Sequence, residues 1–171
     1  MVSIKLLFLD VDGVLNYNMC KAKVGIYYGV EEEKVKLLKK IIDATDAKIV
    51  LSSTWRREIT VGMPVECQTN PFAIELMSKL QAEGLKIYDM TEMDSNDSER
   101  KQQIEALIKD YRKSGQPVEA WVVLDDDIFE GFDEEEFAKH FVNTKFWFDG
   151  LSDDDVHKAI AILNGGDADV S

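Results

Sequence analysis

Short apolar runs alternate along this chain with stretches whose apolar residues recur at helical spacing. Leu6-Leu7-Phe8-Leu9 is apolar at every position, too short to cross a membrane, and lacks the alternation of a strand with one wet face. It reads as a buried central strand. Lys48-Ile49-Val50-Leu51, Leu85-Lys86-Ile87-Tyr88, Ala120-Trp121-Val122-Val123-Leu124 and Phe141-Val142 are predicted as further strands. Between them, Glu31–Ala44 carries Val35, Leu37, Leu38, Ile41 and Ile42 on one helical face, with acids leading as the helix dipole favours. Pro71–Glu83 opens on proline and is followed by Gly84, which marks a second helix. Glu99–Lys113, with Ile104, Leu107, Ile108 and Tyr111, marks a third. A short helix is expected within Glu130–Lys139, and a closing one over Asp153–Leu163 with Ser152 as its cap. Asn16–Gly29 has no clear period and is either a hairpin flap or a plain loop. Val61–Asn70 and Asp89–Ser98 read as loop and turn. Strands separated by helices throughout predict an α/β sandwich with a mainly parallel sheet. No repeat or linker divides the chain, so residues 1–164 are expected to form one domain and 165–171 a flexible tail.

What ends the strands is polar in a particular way. The first run stops at Asp10-Val11-Asp12-Gly13, the second at Ser52-Ser53-Thr54-Trp55-Arg56-Arg57, the fourth at Asp125-Asp126-Asp127. In an open parallel sheet, ligands bind beyond the carboxyl ends of the strands, so these groups could converge with Arg100 and Lys101 at the start of the third helix. Two carboxylates about 5 Å apart repel by roughly 3 kcal/mol at an effective dielectric of about 20, which calls for a cation, a proton or a basic side chain nearby. Carboxylates from two strands make a hard-oxygen site suited to Mg²⁺, and a hydroxyl with a cation opposite suits a phosphoryl group. Each feature also has an ordinary reading: Asp and Gly are common turn residues, Ser53 and Thr54 suit a helix cap, and a basic pair can begin a helix by chance.

Charge and motif absences narrow the field. Twenty basic against thirty-three acidic residues give a formal net charge of -13, which opposes strong unaided binding to nucleic acid. The two cysteines, Cys20 and Cys67, have no metal-ligand spacing. No apolar stretch is long enough for a membrane span, and the start lacks the features of a signal peptide, so a soluble, cytoplasmic protein with no membrane partner is expected. Glycine directly after Asp12, and Lys21 where a calcium loop needs glutamate, exclude an EF-hand; phosphate-binding glycine loops are absent. His140 and His157 have no partner spacing. Trp121, Phe146, Trp147 and Phe148 read as packing groups, since nothing basic is interleaved among them.

The ordered set of strand-Asp10-x-Asp12-Gly13-Val14-x-Asn16, strand-Ser52, a basic residue opening a helix, and strand-Asp125-Asp126 resembles the haloacid dehalogenase (HAD) superfamily of phosphotransferases. Ile49–Arg56 and the pattern ending in Gly150-Leu151-Ser152 are further similar to the HAD domain of Swiss army knife RNA repair proteins. The resemblance implies a three-layer Rossmann-like fold and an Mg²⁺-dependent phosphomonoester hydrolase. In it Asp10 is the nucleophile that forms an aspartyl-phosphate, and Asp12 is the general acid and base whose backbone carbonyl also touches the metal. Gly13 allows close approach to the phosphate, and Ser52 bonds a phosphoryl oxygen. Arg100 or Lys101 neutralises charge, although the family usually has Lys there, and Asp126 binds Mg²⁺ with Asp125 as a second or water-mediated ligand. Ser53 and Arg56 are candidate substrate contacts, Arg56 being an equal candidate for a surface salt bridge. Neither gap between motifs has room for a full cap domain, which implies an open site able to take a nucleic-acid end, a nucleotide or a phosphoprotein. A small-metabolite phosphatase is one rival, and a catalytically silent Mg²⁺- or phosphate-binding module another; the oligomeric state is not legible.

Overall fold

The computed structural model describes residues 2–93 and 99–166. Its centre is a five-stranded parallel sheet. In chain order the elements are β1 (Ile4–Leu9), a small antiparallel hairpin of β2 (Lys23–Val24) and β3 (Tyr27–Tyr28), α1 (Glu32–Thr45), β4 (Lys48–Leu51), α2 (Pro71–Ala82) and β5 (Ile87–Met90). They continue with α3 (Arg100–Lys113), β6 (Val118–Asp125), α4 (Glu135–Ala138), β7 (Phe141–Asn143) and α5 (Asp153–Leu163). The sheet runs β5-β4-β1-β6-β7, so the first strand of the chain lies in the middle.

Successive side chains of β1 point to opposite faces, and both faces are dry. Leu7 and Leu9 pack with Val35, Leu38 and Ile41 of α1, Leu76 and Leu80 of α2, and Val156 and Ile162 of α5. Leu6 and Phe8 pack against Ile104 and Ile108 of α3 together with Phe132 and Phe137. Burial on both sides is why the run shows no alternation. Three layers follow.

Pairing register sets the site. Leu9 lies opposite Leu51 of β4 and Leu124 of β6. The next residues are therefore level: Asp10 N–H donates to Leu124 O at 3.0 Å, and Ser52 N–H donates to Leu9 O at 2.9 Å.

Two readings of the sequence are corrected by the structure. The third strand begins at Ile87 and runs through Asp89 and Met90, two residues later than expected. Gly84, at φ +73°, and Leu85 close α2 by donating to Gln81 O and Leu80 O, so Leu85 belongs to the helix exit. The short helix expected within Glu130–Lys139 is present as Glu135–Ala138, after Gly131 at φ +87° turns the chain. Trp147 and Phe148 are not packing groups: each is 76% exposed, at the tip of a turn closed by Gly150 N–H donating to Lys145 O at 3.0 Å. Asn16–Gly29 contains a hairpin, which stands between Asp12 and α1 where a cap domain could have been inserted. Of the expected turn over Asp89–Ser98, residues 94–98 lie outside the described residues, as does 167–171 of the expected tail. No described helix is long and apolar enough to cross a membrane.

Candidate active site

The acids meet at the carboxyl ends of β1 and β6. One oxygen each from Asp10, Asp125 and Asp126 lies within 4.8 Å of the others. Asp10 and Asp125 are buried. Burial and repulsion from Asp125 raise the Asp10 carboxyl well above the ordinary range, against the pull of Arg100. Burial raises Asp125 too, opposed by Arg100. Burial and Asp125 together push Asp126 up to about 6. Burial is the first cause common to all three, and mutual repulsion adds to it for Asp10 and Asp126.

Arg100 is the basic residue that enters the site. Its Nη1 lies 2.7 Å from Asp125 Oδ2 and 3.7 Å from Asp10 Oδ1, and its guanidinium stands 4.1 Å from the Phe129 ring centre. A cation in the first turn of a helix opposes the dipole, and these two carboxylates account for it. Lys101 does not join them; its ammonium pairs with Glu134 at 3.0 Å and Glu105 at 3.3 Å.

Asp12 stands at the outer side of the cluster and is exposed. Asn16 Nδ2 donates to its Oδ1 at 2.9 Å and Trp55 Nε1 to its Oδ2 at 3.1 Å, so both oxygens have fixed directions. Asn16 also accepts from Gly13 N–H and donates to Gly29 O, which ties the acid loop to the base of the hairpin. Gly13 adopts φ +80°, and a Cβ there would stand 2.3 Å from Asp126 Cγ, so no other residue leaves room for that carboxylate. Thr144 Oγ1 donates to Gly13 O at 2.7 Å, and Leu151 N–H donates to Val14 O at 2.9 Å. A Cβ on Gly150 would meet Asn16 O at 2.8 Å, which is the physical reason for a glycine before Leu151.

Beyond β4, Ser52 and Ser53 divide their work. Ser52 Oγ is fully buried and has no hydrogen-bond partner among the described residues. An unpaired buried hydroxyl costs about 1–3 kcal/mol, which an acceptor oxygen of a ligand would offset. Ser53 Oγ accepts from Trp55 N–H at 3.2 Å and caps the short 3₁₀ turn Thr54–Glu58. Arg56 is buried, so it is not the helix-surface group the sequence allowed. Its Nε donates to Ser53 O at 2.7 Å and its Nη1 to Gln103 Oε1 at 2.9 Å and to Thr91, clamping this turn to α3. Asp127 is exposed, and its N–H donates to Asp125 Oδ1 at 3.0 Å.

Two residues that shape the site were given no role in the sequence. Asn16 stood in the first motif, four residues after Asp12 in the same loop. Trp55 had no local signal, since its bond to Asp12 spans 43 positions and depends on the register of β1 with β4.

Residues 6–156 match a protein family described as the HAD domain in Swiss Army Knife RNA repair proteins. The chain belongs to that family. No curated protein and no solved structure matches it. The family match spans the strands that carry every residue of the acid cluster, and HAD domains generally use Mg²⁺. The donor set here fits such an ion: three carboxylate oxygens from two strands, hard ligands for a hard cation, with one guanidinium as internal counter-charge.

Proposed function

We propose that this HAD domain is an Mg²⁺-dependent phosphomonoester hydrolase acting on an RNA end through an aspartyl-phosphate. The observation that carries the proposal is the convergence of Asp10, Asp125 and Asp126 within 4.8 Å around a single arginine, a negative charge excess that asks for a divalent cation, which in turn would draw an anionic phosphate ester to the site. Asp10, Asp125 and Asp126 would hold Mg²⁺, which when bound offsets the charge of these carboxylates and of the phosphoryl group.

Asp10 Oδ attacks phosphorus, and the bond to the leaving oxygen breaks with its electron pair. Asp12, held by Trp55 and Asn16, gives that oxygen its proton. Water then attacks the aspartyl-phosphate, Asp12 takes a proton from the water, and the Asp10 to phosphorus bond breaks to release phosphate. Arg100 neutralises charge beside the nucleophile, and the Ser52 hydroxyl donates to a phosphoryl oxygen. The protein contributes position and electrostatics. The hairpin beside Asp12 leaves the site open enough for a phosphate carried on a large molecule.

The test is phosphate release from p-nitrophenyl phosphate and from a 3′-phosphorylated oligoribonucleotide, with Mg²⁺ or EDTA. Release that requires Mg²⁺ and falls at least a thousandfold in Asp10→Asn is expected. Mg²⁺ binding without release from either ester would replace this reading with a silent binding module.

A further inference from the structure

Asp12 opens onto a cleft of about 260 Å³ whose other lining residues are Tyr27, Tyr28, Trp55, Phe72 and Phe146. All five are aromatic. They come from β3, the 3₁₀ turn after β4, the start of α2 and the turn after β7, so no local run in the sequence displays them together.

The rings form two arms. On one, Trp55 meets Phe72 at 5.2 Å between centres, and Phe72 meets Tyr27 at 5.8 Å. On the other, Tyr28 meets Phe146 at 5.8 Å, and Phe146 meets Trp147 at 5.2 Å. Tyr27 and Tyr28 are neighbours on the hairpin and join the arms. The inner end is fixed to the chemistry, because the Trp55 indole donates to Asp12. The outer end reaches solvent through Tyr27, 61% exposed, and Trp147. The Lys23 ammonium stands 3.7 Å from the Tyr28 ring centre, so the fold places a cation among rings that the sequence leaves without one.

We propose that this cleft is the leaving-group subsite and that it seats the base of an unpaired terminal nucleotide. The inference rests on the roles given above to Asp10 and Asp12. Asp12 protonates the leaving oxygen, so the group bonded to that oxygen extends on Asp12's side, into the ring-lined space. Flat π-faces reward a planar ring that can stack on them. A cleft below the roughly 300 Å³ of ordinary drug-sized sites holds one ring system at a time. The arms continue outward to exposed Trp147, further than one phenol side chain would use and in the direction a next base would stack. A base within a duplex is covered on both faces and cannot enter, which selects a single-stranded end. With a net charge of -13, recognition concentrates on that last nucleotide instead of a long backbone.

The experiment compares kcat/KM for adenosine 3′-monophosphate and adenosine 5′-monophosphate with that for ribose 5-phosphate, which lacks the base, and for a tyrosine-phosphorylated peptide. One nucleotide is expected to exceed ribose 5-phosphate at least tenfold. In Tyr27→Ala and in Phe146→Leu that ratio falls about tenfold, chiefly through KM. Tyr27 is exposed enough for its variant to fold. Adenosine without phosphate is titrated calorimetrically into Asp10→Asn, with and without Tyr27→Ala. Binding that the ring substitution weakens supports the base subsite even if no ester is hydrolysed, in which case the phosphatase reading alone fails. Nucleotides no better than ribose 5-phosphate, a faster phosphotyrosine peptide, or adenosine binding indifferent to Tyr27 each overturns the proposal.

Discussion

Arg100 carries two burdens at once. It is the counter-charge that lets Asp10 and Asp125 sit buried side by side, and it faces the place where a phosphoryl group would gain charge. Arg100→Met is expected to lower phosphate release at least a hundredfold and to reduce stability in EDTA by about 3 kcal/mol or more, since it leaves two buried carboxylates without their partner. Arg100→Lys should recover part of the stability and little of the rate, because an ammonium cannot reproduce the guanidinium's reach and its contact with Phe129. Thermal unfolding in EDTA and steady-state rates in Mg²⁺ read the two effects separately. Equal loss of both in the Lys variant would contradict this division. The arginine was one of two candidates in the sequence. Periodicity places Arg100 and Lys101 in the same turn, and only packing decides which side chain faces the strands and which lies across Gly131 toward Glu134.

At the scale of elements, regular helices and strands were legible because local chemistry and burial agree in them. For α5 the agreement is complete. Ser152 Oγ accepts from Asp155 N–H, Asp155 Oδ2 accepts from Ser152 N–H, and the helix spans Asp153–Leu163 as its apolar spacing and cap predict. Ser152→Ala should cost about 1 kcal/mol and lower Tm by about 2–4 °C, with kcat/KM unchanged, as scanning calorimetry and an Mg²⁺ assay would check. A drop in rate larger than the loss of folded protein would mean that α5 shapes the site more directly. Elements whose ends are decided at a distance were read less well. The third strand begins late because Leu85 is held by Leu80. The hairpin of β2 and β3 has two residues per strand, too few to leave a period.

For the whole molecule, the acidic excess and the acid cluster act in the same direction on stability. Asp126 holds its proton up to about pH 6, and burial raises Asp10 and Asp125 as well. Without metal, the folded chain above that pH carries Asp126 ionised in a half-buried setting beside Asp125, a cost the unfolded chain does not have. As pH falls through about 6 toward the ordinary carboxylate range near 4, the folded form takes up protons first and the cost is relieved. In EDTA, Tm is therefore expected to rise between pH 7.5 and pH 5. Saturating Mg²⁺ should lift the upper end and flatten the slope, and Asp126→Asn should flatten it without metal. A Tm in EDTA that stays level or falls on acidification would refute the charge balance described for the cluster.

The strand order has a consequence in time. Asp10 is made early on β1, and its neighbour β4 follows within about forty residues, but the other neighbour, β6, brings Asp125 only about seventy residues after that. A chain still emerging from the ribosome carries Asp10 on an open strand edge, with neither Arg100 nor the second pair of acids in place. Contacts this distant in sequence close slowly. The acid cluster is thus expected to assemble as a late event of folding, when β6 slides in beside β1 and the turn at Gly150 settles onto the acid loop.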